Sequence, residues 1–183
     1  TIDLARQHGE ELAASVEKVL ARELPPVRAP LQTAYEEFPA AFATPPGREE
    51  LQAQLQSKDV YHRIWAGAML KTLDRSGHLP TEYPYPLEIW QFGQDLTLIA
   101  LGGEAVVDYD LRLKRELGAE KLWVAAYCND VFAYIPSLRV LQEGGYEGGG
   151  AMVYYGQPGP FAPPIEETII GKVHDLVSVV SGQ

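Results

Sequence analysis

Apolar residues recur every three or four positions in several parts of the chain, and this spacing predicts amphipathic helices. The first helix is expected over about 3–22, with Asp3 as its cap and a Pro-Pro pair after its end. A second helical stretch is expected to continue to about residue 74, and a third over 106–117 with Gly118 after its last turn. The last helix is expected to bury one stripe of side chains, namely Ile165, Ile169, Val173, Leu176 and Val180.

Strand patterns are concentrated in the middle of the chain. Alternation predicts an extended piece near 31–35 and a hairpin of strands 87–92 and 96–101, and the second of these strands is almost entirely apolar. Further strands are expected over 122–127 and 151–155. The order strand, strand, helix, strand predicts a mixed sheet with a hairpin and a strand-helix-strand unit, covered by helices. We therefore expect an α/β (or α+β) fold with the whole chain in one domain.

Proline and glycine mark the expected loops. The segment 76–86 contains three prolines and is expected to be a loop, and the run 144–150 contains five glycines. No Gly-Lys-Ser/Thr sequence follows these glycines, and the only charge among them is acidic. The run is therefore not interpreted as a phosphate-binding loop.

Composition excludes some classes of function. The hydrophobic fraction of 46% and charged fraction of 22% are typical of a globular protein, whereas the net charge of −10 argues against nucleic acid as a partner. No apolar run approaches the ~20 residues of a membrane-spanning helix. The first residues lack both a starting Met and the pattern of a signal peptide, so we expect the numbering to begin inside a longer protein.

Glu104 is the first candidate for chemistry. It stands after an apolar strand and two glycines, where a helix is expected to begin. Ligands bind at strand ends in open sheets, and the helix dipole favours a carboxylate anion in a first turn, which suits a metal ligand. The alternative is a glutamate that stabilises the helix start and has no further role.

Other candidates lie in the loops that follow. Tyr134 and Tyr146 are flanked by turn residues and are either functional or cover a core edge. Asn129 and Asp130 either orient a substrate or stabilise a turn. The four histidines show no metal-binding spacing, and no Gly-x-Ser-x-Gly elbow occurs. The residues present no complete catalytic set by themselves.

The order of three motifs is more specific than any one of them. Gly-Gly-Glu at 102–104 ends a strand, Tyr-Cys-Asn-Asp-Val-Phe-Ala-Tyr-Ile-Pro-Ser occupies 127–137, and Gly-Tyr-Glu-Gly occupies 145–148. From about residue 83 to 163 the chain resembles the neutral or alkaline, non-lysosomal ceramidase family, and most of all its smaller bacterial relatives. The family usually has a proline where Gly102 stands, so we expect a less constrained turn before Glu104.

The resemblance implies a zinc-dependent hydrolase that acts on a linear N-acyl amide such as ceramide, with a lipid amide as the small-molecule partner. By this resemblance Glu104 and Tyr134 are zinc ligands, and Tyr146 lies near the substrate amide as a catalytic residue. It further implies that two zinc-binding histidines and a serine lie in a preceding half that is absent here. The chain would then be the C-terminal portion of a larger catalytic domain, inactive alone, from a secreted or periplasmic protein.

A geometric prediction follows from these assignments. Since a strand-helix-strand unit returns the chain beside its start, the strands that end at Leu101 and near Tyr127 should be neighbours. Glu104 and Tyr134 should then face a common cleft with Tyr146 on its rim.

Two alternatives remain open at this level. One is a non-catalytic domain that binds a glycan or a protein through its Tyr-rich and Gly-rich loops. The other is a hydrolase of the same fold whose metal site is lost or altered. The tyrosines that suit a binding surface are Tyr83, Tyr85, Tyr127, Tyr134, Tyr146, Tyr154 and Tyr155.

Overall fold

A four-stranded mixed sheet organises the structure, which is a computed structural model that describes residues 1–182. The strands are β1 (Leu31–Ala41), β2 (Glu82–Phe92), β3 (Leu96–Leu101), β4 (Glu104–Ala105), β5 (Leu122–Ala125) and β6 (Tyr134–Ile135). The sheet has the order β1-β2-β3-β5, and β4 pairs with β6 as a separate two-stranded ladder. The pairs β1-β2 and β2-β3 are antiparallel, whereas β3-β5 is parallel.

The described part of the chain also contains seven α-helices. They are α1 (Ile2–Leu20), α2 (Arg48–Gln54), α3 (Val60–Ser76), α4 (Val107–Leu117), α5 (Leu138–Glu143), α6 (Met152–Tyr155) and α7 (Ile165–Ser181). A π-helical turn at Tyr146–Gly150 leads into α6. None of the described helices has the length and apolar character needed to cross a membrane.

The main core lies between α7 and one face of the sheet. The predicted stripe of α7 is buried, and Ile170 joins it. These side chains pack against buried residues of the three long strands, among them Phe38, Leu87 and Ile99. A smaller cluster between α2 and α3 contains Leu51 and Met69. The mixed α/β architecture predicted from the sequence is confirmed.

The predicted hairpin and the strand-helix-strand unit are also confirmed. The turn after Phe92 brings β3 back beside β2, with Ile89 opposite Ile99. The chain then passes through α4 and returns as β5, which pairs in parallel with β3 and sets Val124 opposite Ile99. The strand that ends at Leu101 and the strand that precedes Tyr127 are therefore neighbours, as expected.

Several local predictions were wrong. Residues 152–155 are helical, because Ala151 follows the π-helical turn without a break and Tyr155 donates its backbone N–H to Ala151 O at 3.4 Å. The prolines at 84 and 86 lie inside β2, which extends the hairpin strand back to Glu82. The cap of α1 is Thr1 and not Asp3.

The first helix forms where the sequence predicted it, but its apolar stripe is not buried. Leu12, Val16 and Leu20 are all exposed, and no residue of α1 is buried. Amphipathic spacing thus predicted the helix correctly without identifying a partner for its apolar face.

Candidate functional site

A short parallel ladder beyond the main sheet brings the two expected metal ligands together. Glu104 lies directly opposite Tyr134 in the pair β4-β6. The Glu104 N–H donates to Ala133 O at 2.8 Å, and the Val106 N–H donates to Ile135 O at 3.1 Å. Glu104 was expected in a first helical turn, and that prediction was wrong. It lies in a strand, and α4 begins three residues later at Val107.

Two buried glycines allow the chain to reach this ladder. Gly103 has φ +68°, and a Cβ there would lie 2.7 Å from the Ile135 side chain and 2.8 Å from Ala133 O. A Cβ at Gly102 would lie 2.8 Å from Pro86. The buried Tyr85 hydroxyl also donates to Gly102 O at 3.0 Å. The turn before Glu104 is therefore constrained by packing, contrary to the expectation drawn from the missing proline.

The Glu104 carboxylate lies among phenols. Hydrogen bonding to Glu104, followed by burial and by its negative charge, raises the pKa of Tyr134 above the usual range. The same causes raise the pKa of Tyr127 to about 12. Burial and the charge of Glu104 raise the pKa of Tyr155 as well. Within residues 1–182, Glu104 forms no ion pair with a lysine, arginine or histidine.

Tyr127 reaches Glu104 from an uncommon backbone conformation. Its φ is +60°, in the left-handed region that a tyrosine seldom adopts. Its N–H donates to Gly103 O at 2.8 Å, and the following Cys128 N–H donates to Leu101 O at 3.0 Å. These bonds fasten the strained segment to the turn that carries Glu104. Strain of this kind costs on the order of 1–3 kcal/mol and is concentrated at functional sites.

Tyr146 lies beside Tyr134, so the three residues that the resemblance implies are brought together. The ring centroids of Tyr134 and Tyr146 are 5.5 Å apart, with the rings edge to face at 70°. Tyr146 begins the π-helical turn, in which a Cβ at Gly148 would lie 2.6 Å from Val140 O. The glycine-rich run is thus needed to close the turn that presents Tyr146.

Tyr127 and Tyr155 are site residues that sequence reasoning did not assign to the carboxylate. The Tyr155 ring lies 6.3 Å from the Tyr134 ring, also edge to face. Both had been considered only as part of a general tyrosine surface. The position of Tyr127 at the end of a strand beside the strand that leads to Glu104 is the signal that could have identified it.

The other candidates have structural contacts. Asp130 accepts a hydrogen bond of 2.6 Å from the Tyr83 hydroxyl, and this bond is the largest cause that raises the pKa of Tyr83 to about 12. Asn129 adopts φ +63° and donates its side-chain amide to Glu88 at 3.4 Å. His174 bonds Glu116, and His62 lines a groove beside α2. None of these residues contacts the Glu104 carboxylate.

Glu104 and Tyr134 are the oxygen donors of this cluster that the sequence resemblance assigns to zinc. Zinc accepts carboxylate oxygen, and a catalytic site needs three protein ligands or more together with a position for water. Glu104 and Tyr134 offer two oxygens from adjacent positions of one ladder. In the described residues no group of three His, Cys, Asp and Glu side chains is placed to hold a metal ion. Two oxygens do not complete a zinc site, so further ligands would have to join them.

Comparison with known proteins gives one structural likeness. A solved structure described as a ceramidase complexed with C2 aligns with 78% of this chain, at a TM-score of 0.42 and 16% sequence identity. The alignment covers 29% of that ceramidase, so the chain spans less than a third of its length. No family model and no curated protein matches the chain.

Proposed function

We propose that this chain is part of a zinc-dependent amidohydrolase that cleaves a linear N-acyl amide, such as an N-acylsphingosine, to a fatty acid and an amine. Glu104 and Tyr134 would supply two of the zinc ligands. The remaining ligands would come from polypeptide outside these 183 residues, so the chain alone would be inactive.

The observation that carries the proposal is the register of β4 and β6. The sequence motifs select Glu104 and Tyr134, which are 30 positions apart, and these two residues lie directly opposite one another. The partners of the Glu104 carboxylate are neutral phenols, so its negative charge is not neutralised within residues 1–182, and a metal ion would neutralise it. A cation bound by these two residues would favour the phenolate of Tyr134 and so oppose the effect of Glu104 on its pKa.

The residues of this chain have separable tasks in the proposed reaction. Zinc, when bound, would lower the pKa of its water ligand and polarise the amide carbonyl. Glu104 holds negative charge at one edge of the site, and Tyr134 lies at the adjacent ladder position. Tyr146 packs against Tyr134 and keeps 49% of its surface exposed, and in this proposal it holds the substrate amide.

The test is made on the longer protein that contains this chain. Glu104→Ala should abolish zinc retention and amide hydrolysis together. Tyr134→Phe should lower turnover about 10- to 100-fold while the fold is kept. Glu82→Ala and Tyr35→Phe, at exposed positions outside the site, are the matched controls. Normal zinc content and turnover in both site variants would refute the proposal, as would robust zinc-dependent hydrolysis by residues 1–183 alone.

A second candidate function is a non-catalytic domain that binds a glycan or a protein. It is favoured by the exposure of Tyr127, Tyr146 and Tyr154, each of which keeps about half of its surface accessible. Zinc content separates the two candidates, because a binding domain of this kind needs no metal at Glu104.

A further inference from the structure

A groove with a volume of about 370 Å³ lies between α2, α3 and the chain that follows the π-helical turn. Small-molecule sites have volumes of about 300–1,000 Å³, so the groove is large enough to hold a ligand. The described residues that line it include neither Glu104 nor any tyrosine. The groove is therefore distinct from the ladder β4-β6 and from the tyrosines around it.

Part of the lining is apolar and held in place by hydrogen bonds. Met152 and Pro158 are buried, and Trp65 is half-buried. The indole N–H of Trp65 donates to Gln157 O at 2.7 Å, and the Gln157 side-chain amide donates to Phe132 O at 3.0 Å. These bonds fasten the indole to the loop after α6. The apolar part of the groove is thus formed before a ligand arrives, which lowers the entropic cost of binding.

The rest of the lining carries polar side chains that the fold does not use. Thr44, Gln54 of α2 and His62 of α3 all line the groove, and within residues 1–182 their side chains form no hydrogen bond with the protein. The Glu50 carboxylate also lines it and accepts a 2.7 Å bond from the Gly47 N–H. A hydroxyl, an amide and a neutral imidazole can each donate and accept a hydrogen bond. Three such groups therefore converge on one groove with their bonding capacity free.

This combination favours a neutral ligand with several hydroxyl groups. None of the described residues that line the groove is a lysine or an arginine, so an anion would have no strong partner there. Glu50 is the single carboxylate of the lining and is already engaged at the start of α2, which disfavours a cation as well. Hydroxyl groups both donate and accept, as the free side chains do. The indole and the buried methionine suit the C–H groups of a ring.

We propose that this groove binds a pyranose ring of a carbohydrate. The C–H groups of the ring lie against Trp65, and its hydroxyl groups bond Thr44, Gln54 and His62. A pyranose has both features that the lining selects, since it combines an apolar ring surface with hydroxyl groups at its edge. The proposal does not depend on the proposed function, because it requires neither zinc nor Glu104.

The test titrates the 183-residue chain with the methyl pyranosides of glucose, galactose and mannose, and with sorbitol as the matched control ligand. Sorbitol carries similar hydroxyl groups on an open chain and has no ring. Binding is followed by NMR through the indole N–H signal of Trp65, which is assigned by its absence from Trp65→Phe. At least one pyranoside should bind saturably, and Gln54→Ala and His62→Ala should each raise its dissociation constant about two- to tenfold, since each removes a hydrogen bond. Gln52→Ala is the control variant, because Gln52 is an exposed residue of α2 outside the lining.

The outcomes decide the role of the groove independently of the zinc proposal. Absence of saturable binding by all three pyranosides, or equal binding of sorbitol, would overturn the pyranose site. Binding that is unchanged in both Gln54→Ala and His62→Ala would place the sugar elsewhere and would overturn it too. Saturation of the Trp65 signal by a proline-rich peptide and by none of the sugars would overturn it in favour of a peptide groove. Glu104→Gln should leave pyranoside binding unchanged, whatever its effect on zinc.

Discussion

Two carboxylates four residues apart, Glu104 and Asp108, lie in opposite kinds of surroundings. Asp108 is fully paired: it accepts 2.9 and 3.1 Å hydrogen bonds from Arg139 and a 2.5 Å bond from the Ser137 hydroxyl. These partners lower the pKa of Asp108. Glu104 has no cationic partner within residues 1–182 and is surrounded by phenols whose pKa it raises.

The charge of Asp108 helps to hold the fold together, whereas Glu104 forms no ion pair within residues 1–182. The ion pairs of Asp108, and those that join Arg112 to Glu166 and Glu167, connect α4 to α5 and α7. The Glu104 carboxylate connects no helices. The partners of the Glu104 carboxylate are neutral phenols, so within residues 1–182 its charge is not neutralised as that of Asp108 is by Arg139.

The largest effect is expected from the glycine that places Glu104. Gly103→Ala should lower the free energy of unfolding by about 3 kcal/mol or more, because the new Cβ adds a clash with Ile135 to the cost of a positive φ. Gly77→Ala is the matched control, with φ +78° and no atom within 4 Å of the added Cβ, and should cost only about 1 kcal/mol. Urea denaturation measures both. Equal losses would show that the packing at Gly103 is not tight.

The two carboxylates themselves should respond differently to neutral replacement. Asp108→Asn should lower the free energy of unfolding by about 1–3 kcal/mol, since Arg139 loses a charged partner. Glu104→Gln should lower it by less than Asp108→Asn does, because its phenol partners are neutral and can still donate to the amide oxygen of Gln. The two variants are compared by urea denaturation at neutral pH. A large loss in Glu104→Gln would mean that Glu104 is structural, and the contrast between the two carboxylates would disappear.

Acid should destabilise the fold by protonating carboxylates that form ion pairs, such as Asp108. A carboxyl group whose pKa is lowered in the folded state contributes stability above its unfolded pKa of about 3.9, and this is lost as the pH falls through the folded value. The destabilisation caused by Arg139→Met should therefore be largest near neutral pH and should shrink below about pH 4. Thermal unfolding of both proteins across this range measures the effect. A difference that does not depend on pH would exclude the ion pair as its source.

A smaller effect is expected at alkaline pH. Since the carboxylate of Glu104 is the main cause that raises the pKa of Tyr127 to about 12, Glu104→Gln should lower that pKa toward its ordinary value near 10. The titration is followed by the absorbance of tyrosinate. The transition that is absent from Tyr127→Phe is assigned to Tyr127. An unchanged titration in Glu104→Gln would separate Glu104 from this phenol.

The elements that could be predicted from the sequence are those whose buried residues form a pattern within one short segment. The strands β3 and β5 and the helix α7 can be recognised in the sequence, because apolar residues recur at short spacing within each of them. The pair β4-β6 could not be recognised, since a ladder of two residues is defined by a partner 30 positions away. For the same reason Glu104 was expected at a helix start. β-Branched and aromatic residues at 153–155 suggested a strand, whereas the preceding turn of glycines continues into helix.

The candidate site was predictable only in part. Motif order selects Glu104, Tyr134 and Tyr146, and the parallel β3-β5 pair explains why the segments that follow those strands meet. The contribution of Tyr127 depends on a left-handed backbone conformation, which leaves no spacing pattern in the sequence.

The most direct test of the central claim is a zinc titration of the 183-residue chain, followed by ultraviolet difference absorbance. Binding is expected to be weak, because only two ligands are present, so zinc is added in large excess. If Glu104 and Tyr134 hold the metal together, zinc should produce the absorbance of one tyrosinate near neutral pH. Tyr146→Phe should keep this signal, whereas Tyr134→Phe and Glu104→Gln should lose it. No tyrosinate signal at saturating zinc, or a signal that survives in Tyr134→Phe, would contradict the claim.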